Sequence, residues 1–177
     1  MTDFAAIRHL LIDLDGTLLG NRELPLRLDF AFRALYSLKR HGGWIKAVKT
    51  LRAIYFELDQ VPVEIKQGLT NDKRAVAAFA KAVGLPITDA AQILTKSVAE
   101  LFPLLKRHFY PIPGAKEFLN WAKDHYPLTL ATNPVWPEEL VVLRLEWAGI
   151  DPSIFKNITH AGIMHACKPA SEYYREI

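Results

Sequence analysis

Residues Leu10 to Leu19 read LLIDLDGTLL, and no other ten residues constrain the fold as much. Leu10-Leu11-Ile12 shows no polar alternation, the pattern of a strand buried on both faces of a parallel sheet. Asp13 and Asp15 follow one residue apart, and Gly16-Thr17 supplies a turn. Open α/β sheets hold their ligands at the carboxyl ends of their strands. The stretch therefore reads as a hidden strand that delivers two acids to that edge. Burying one carboxylate is costly and two neighbours repel each other. A positive group must balance them, and a divalent cation is the simplest candidate.

After Gly20-Asn21, a turn or linker, the pattern changes. Apolar residues recur at helical spacing through Phe30, Leu35 and Leu38, then Ile45, Val48, Leu51, Ile54 and Leu58. Gly42-Gly43 separates these two helices, and Pro62 opens a short third. Asn71-Asp72 reads as the cap of a fourth that Gly84 ends. A fifth runs from Thr88-Asp89 to about His108. The span reads as all-helical. Pro111 and Pro113 stiffen the return as a hinge.

Beyond them the chain alternates. A helix is expected over about 115–125, a strand over 127–131 and a helix from Pro137 to Gly149. A short strand over 155–159 and a final helix opened by Lys168-Pro169 complete the order. Strands alternating with helices mean a parallel sheet. The expected fold is thus α/β: a Rossmann-like parallel core from residues 1–19 and 111–177, with a helical cap over 20–110.

Three stretches carry possible chemistry. A carboxylate such as Asp13 can attack phosphorus, while a second, Asp15, protonates the leaving oxygen and then activates water. Alone, an Asp-x-Asp-Gly run is also ordinary turn chemistry. Thr132 and Asn133 end the second core strand, where a hydroxyl and free N–H groups can hold a phosphoryl oxygen. Lys168 could steady the same group and offset the aspartates.

In order and spacing, Asp13-Leu-Asp15-Gly16-Thr17, then Thr132-Asn133, then Lys168-Pro169 resemble the first three motifs of the haloacid dehalogenase-like (HAD) hydrolases. The resemblance implies a nucleophile at Asp13, an acid/base at Asp15, and a phosphoryl-binding set of Gly16, Thr17, Thr132 and Asn133 steadied by Lys168. It implies magnesium bound by the Asp13 carboxylate and the Asp15 carbonyl. The second aspartate points to a phosphatase or a phosphomutase rather than a dehalogenase. The expected activity is hydrolysis of a small phosphorylated metabolite, and the alternative is an inactive, partner-binding relative of the fold. The family's fourth motif, a further acidic pair, is not met before Ile177, and Asp124 and Asp151 do not sit where they could replace it. The expectation is a sheet incomplete at that side, with weaker magnesium binding and an unpaired edge prone to self-association.

Bulk properties narrow the partners. The net charge of +3 is too weak to argue for nucleic acid. No apolar run has the length of a membrane span, so no membrane role is expected. A single cysteine, Cys167, excludes an internal disulfide and suits a reducing, cytoplasmic setting. His160, His165 and Cys167 match no standard zinc spacing. Lys39, Arg40, Lys46, Lys49 and Arg52 with Trp44 form a basic, aromatic patch that reads as the solvated face of two helices, the alternative being a grip on a phosphorylated substrate or an anionic surface. Trp121, Trp136 and Trp147 read as packing residues.

Overall fold

Leu128-Thr129-Leu130 is buried at every position, and the core sheet is built around it. The computed structural model describes residues 7–41, 43–59 and 68–177. In chain order these hold β1 (Leu10–Ile12), β2 (Leu19–Asn21), α1 (Glu23–Leu38), α2 (Gly43–Asp59), α3 (Asn71–Val83) and α4 (Ile87–Leu101). There follow β3 (Phe109–Pro111), α5 (Ala115–Ala122), β4 (Leu128–Leu130), α6 (Glu138–Trp147), β5 (Asn157–Ile158) and α7 (Ser171–Glu176). The protein is α/β with a Rossmann-like arrangement: β1, β4 and β5 form a parallel sheet with β4 in the middle. Leu10 pairs with Leu128 and Ile12 with Leu130. The sheet packs through Ile12, Leu128 and Leu130 onto Leu119 of α5 and Val141 and Leu145 of α6.

One expectation fails here. β1 lies at the sheet edge among the described residues, and Leu11 is half exposed while Ile12 is buried. An unbroken apolar run is compatible with burial on both faces, but burial requires a covering layer, and among the described residues none fully covers Leu11.

The insertion is helical, as its periodicity suggests, and has its own core of Leu38, Ala47, Phe79, Ala80, Val83 and Ala90. The helix expected at Pro62 lies outside the described residues. Two corrections concern the neck. Gly20-Asn21 is not a linker: β2 pairs antiparallel with β3, Gly20 opposite Tyr110. A Cβ at Gly20 would meet the Tyr110 ring, so any larger residue there would have to displace that half-exposed side chain. The hinge expected at the prolines is likewise in part a strand, with Pro111 at its end. The fifth helix stops at Leu101, and residues Phe102–His108 form a tighter 3₁₀ turn. Pro103 explains the change, since it has no N–H to donate to an α-helical bond.

Phe102 seats its ring 4.9 Å from that of Trp136 and stacks at 5.6 Å on Trp147, with Phe30 and Phe109 completing the cluster. Insertion and core therefore share an aromatic joint. Trp121 does not pack inside as expected: it is half exposed and stacks on His125. No described helix is long and apolar enough to cross a membrane.

Candidate active site

Leu14, fully buried between the two aspartates, anchors the loop that follows β1. Its carbonyl accepts from the N–H groups of Thr17, Leu18 and Leu19, and the Gly16 N–H donates to the Leu19 carbonyl at 2.9 Å. Gly16 has φ of +79°, a left-handed turn conformation that glycine adopts without strain. The chain folds back on itself with Asp13 and Asp15 on its outer side. The N–H groups of Gly16 and Thr17 are thus spent on loop carbonyls and are not offered to a phosphate in this conformation. Both residues lie exposed in the turn.

Three distant segments meet at Asp13. Lys168 Nζ donates to Asp13 Oδ1 at 3.0 Å. The Lys168 N–H donates to Asn133 Oδ1 at 3.2 Å, tying the lysine to the loop after β4. The lysine amine also lies 5.8 Å from the Tyr173 ring centre. Lys168 was expected in the first turn of a helix, but α7 begins only at Ser171. The residue before a proline is disfavoured in the α region, which keeps Lys168 in the loop; its bond to Pro169 is cis. That loop is pinned from behind. Glu176 of α7 accepts from the N–H groups of His165 and Ala166 at 2.8 and 3.2 Å.

Thr132 is fully buried, and its carbonyl accepts from the hydroxyls of Thr159 and Tyr173 at 2.8 and 2.9 Å. Its own hydroxyl is buried with no hydrogen-bond partner. Such an orphan costs about 1–3 kcal/mol. Tyr173 beneath the site has its hydroxyl pushed up to about 12, by burial first and by the Asp13 charge, against the Thr159 hydrogen bond.

Asp15 does not join Asp13 at Lys168. Both its oxygens accept from Arg144 Nη1 of α6, at 2.9 and 2.8 Å. The strand geometry that would align the two acids ends at Ile12, so they diverge onto different cations. The Arg144 side chain is 3% exposed and Asp15's 42%, and Arg144 Nη2 is buried without a partner. The sequence reading missed Arg144. Its signal was present: position 144 falls on the same helix face as Val141, Leu145 and Ala148, where an apolar residue is expected.

Asn71 and Arg74 were missed as well. Asn71 reads as a helix cap, yet Thr70 holds that position and Asn71 is fully buried. Its side-chain amide donates to the carbonyls of Pro134 and Ala166 at 3.2 and 3.4 Å. The first N–H groups of α3, from Asn71 and Asp72, donate to Met164 and Ala161. Arg74 Nη1 donates to Asn71 Oδ1 and to the His165 carbonyl. An insertion helix thereby clasps the loop that leads into Lys168. Between them lies Cys167, whose thiol burial pushes up to about 11, with Arg74 pulling the other way, Glu176 adding to the rise and the Asn71 hydrogen bond opposing it.

No group of three His, Cys, Asp or Glu side chains able to hold a metal occurs among the described residues. The oxygens expected to hold magnesium are the Asp13 carboxylate and the Asp15 carbonyl. Both are hard oxygens of the type this ion accepts, and an ion there would take its other ligands from water and phosphate.

No family model matches the sequence, and no curated protein matches it either. Solved structures do align, and they are HAD-family enzymes and hydrolases, the group whose motifs the sequence resembles. The defluorinating L-2-haloacid dehalogenase Rha0230 matches at 18% identity and a TM-score of 0.47, over 96% of this chain and 66% of its own. A structure described as a HAD-hydrolase, YfnB from Bacillus subtilis, bound to magnesium matches at 18% identity and a TM-score of 0.49, over 95% of this chain and 71% of its own. A HAD family enzyme from Bacteroides thetaiotaomicron matches at 16% and 0.48, over 96% of this chain and 75% of its own. The chain therefore spans about two thirds to three quarters of the length of these proteins. Each overlap stays below a TM-score of 0.5, so the functional reading rests on the geometry of the chain itself.

Proposed function

We propose that the protein is a HAD-like phosphoric monoester hydrolase that uses Asp13 as nucleophile on a small phosphorylated substrate. The observation that carries this reading is the convergence at Asp13: Lys168 comes from 155 residues along the chain and is itself fastened to Asn133. A partly exposed carboxylate beside one fixed cation is arranged to receive an anionic group, and the orphaned Thr132 hydroxyl is a donor with capacity to spare.

In the first step an Asp13 carboxylate oxygen forms a bond to phosphorus and the bond to the leaving oxygen breaks. Asp15 supplies the proton that the leaving oxygen takes up. Both Asp15 oxygens accept from Arg144, so Asp15 must turn from Arg144 before it can donate. In the second step water attacks the acyl phosphate, Asp15 takes the proton, and phosphate leaves with Asp13 restored. Lys168 holds the phosphoryl charge throughout. Magnesium, held by the Asp13 carboxylate and the Asp15 carbonyl, would neutralise the phosphate.

Hydrolysis of p-nitrophenyl phosphate with magnesium tests the assignment. Asp13→Asn abolishes turnover, and Lys168→Ala lowers it by roughly a hundredfold or more. Wild-type turnover by Asp13→Asn overturns the nucleophile. The competing reading, a binding protein that keeps the fold without turnover, has one observation in its favour: Arg144 engages both oxygens of Asp15. Absence of turnover with any phosphate ester, together with unimpaired phosphate binding, would favour it.

A further inference from the structure

The helical insertion carries an exposed apolar stripe that the catalytic reading does not use. On α1, Leu24, Leu28, Phe32 and Tyr36 stand four residues apart and are 67%, 63%, 65% and 46% exposed. Four-residue spacing places them on one face over about 18 Å of helix. The stripe does not stop with the helix. Lys39 Nζ lies 3.8 Å from the Tyr36 ring centre and 4.8 Å from that of Trp44, bridging α1 to α2. There Trp44, Ile45 and Val48 continue the exposed apolar surface. Scattered surface leucines need no explanation, but a contiguous run of seven large apolar side chains does.

Charge follows the same path. Residues 23–52 contain seven Lys and Arg against two Asp and Glu, more than the whole positive excess of the chain. Glu23 pairs with Arg27 and Asp29 with Arg33 and Arg107, which offsets those arginines as well and leaves Lys39 and Arg40 as the cations beside the stripe. Arg40 lies 5.7 Å from the Tyr36 ring, at the stripe. Beside it an open groove of about 580 Å³ is lined by Phe32, Tyr36 and Leu104 with three arginines, Arg33, Arg40 and Arg107, against two carboxylates, Asp29 and Glu100. Trp and Tyr beside Lys and Arg, over an apolar stripe, is the composition of a surface that lies in a bilayer interface.

We infer that this face of α1 and α2 docks on an anionic lipid surface, its apolar stripe entering the interface and its cations pairing with acidic headgroups. A second copy of the chain is a poorer occupant. An isologous contact would set one positive face against the other and leave most of the charge uncompensated. A lipid surface supplies both the acyl boundary for the stripe and the negative potential for the rim. The site at Asp13 has no part in the inference, which stands or falls apart from the phosphatase reading.

Co-sedimentation of the full chain with vesicles tests it. One set is pure phosphatidylcholine, the other equal parts phosphatidylcholine and phosphatidylserine. The protein sediments with the anionic set, not the neutral one, and salt releases it. Leu28→Ser with Phe32→Ser lowers the vesicle affinity by about tenfold or more. Lys39→Glu with Arg40→Glu does the same on the charge side, by on the order of tenfold. Leu28, Phe32 and Arg40 are exposed and Lys39 is partly so, and far-ultraviolet circular dichroism of the variants stays that of the wild type. No binding to anionic vesicles overturns the inference, as does equal binding to both sets or binding that ignores the apolar substitutions. Two results in the absence of vesicle binding would give the face to another occupant: a dimer in sedimentation velocity lost in Leu28→Ser with Phe32→Ser, or charge-dependent binding to polyglutamate.

Discussion

Asp15 and Arg144 are unequally placed, and the inequality predicts which the fold misses more. Arg144 is enclosed and its guanidinium cannot shed its charge, whereas Asp15 reaches water. Asp15→Ala strands a buried cation and is expected to cost about 2–3 kcal/mol. Arg144→Met leaves an exposed carboxylate that rehydrates and fills the space with apolar volume, at a cost of about 1 kcal/mol or less. Urea denaturation at constant slope measures both; the reverse order would contradict the burial argument. Cys167 gives a second prediction. Its thiol, pushed up to about 11, contributes stability that is fully present below the ordinary thiol value and is lost as pH rises through 11. Native protein should therefore resist iodoacetamide at pH 8 and react once unfolded, and rapid labelling of the folded chain would contradict the burial. Among single residues, Asp13 and Lys168 were expected at one place from their types and order, and their side chains do meet. Asn71 misled because a buried amide and a helix cap look alike in sequence.

At the scale of elements, α1 is fastened to the 3₁₀ turn before β3 through Asp29. That carboxylate accepts from Arg33 at 2.8 Å, from Arg107 at 2.9 Å and pairs with His108 at 2.9 Å. Burial works against its ionisation, yet these three partners hold it below its usual value. A lowered carboxylate contributes stability above the unfolded value, about 3.9, and loses it as pH falls through the folded one. The stability gap between wild type and Asp29→Asn should thus be constant near neutrality and close in the acid range; a gap unchanged down to pH 2 would refute the link. The long amphipathic helices were readable because each has a full apolar face. The ribbon of β2 and β3 was not, since three residues broken by glycine and proline give no period to detect. The short strand expected over 155–159 is present, though only Asn157 and Ile158 pair.

Over the whole molecule, two bodies of helices and strands meet at an aromatic joint and at the clasp of α3 on the loop before Lys168. The parallel sheet was legible from the alternation of strand and helix signals. Among the described residues β1 lies at the edge of that sheet, in keeping with the unpaired edge expected there. What unites the parts is the convergence on Asp13, and the function proposed above puts an acyl phosphate at that residue. Turnover of a phosphate ester with magnesium, quenched with borohydride, reduces an aspartyl phosphate to homoserine that peptide mass spectrometry can locate. The conversion is expected at Asp13 in the wild type and at no residue in Asp13→Asn. Robust turnover with no conversion at Asp13, or with conversion at another aspartate, would contradict the account.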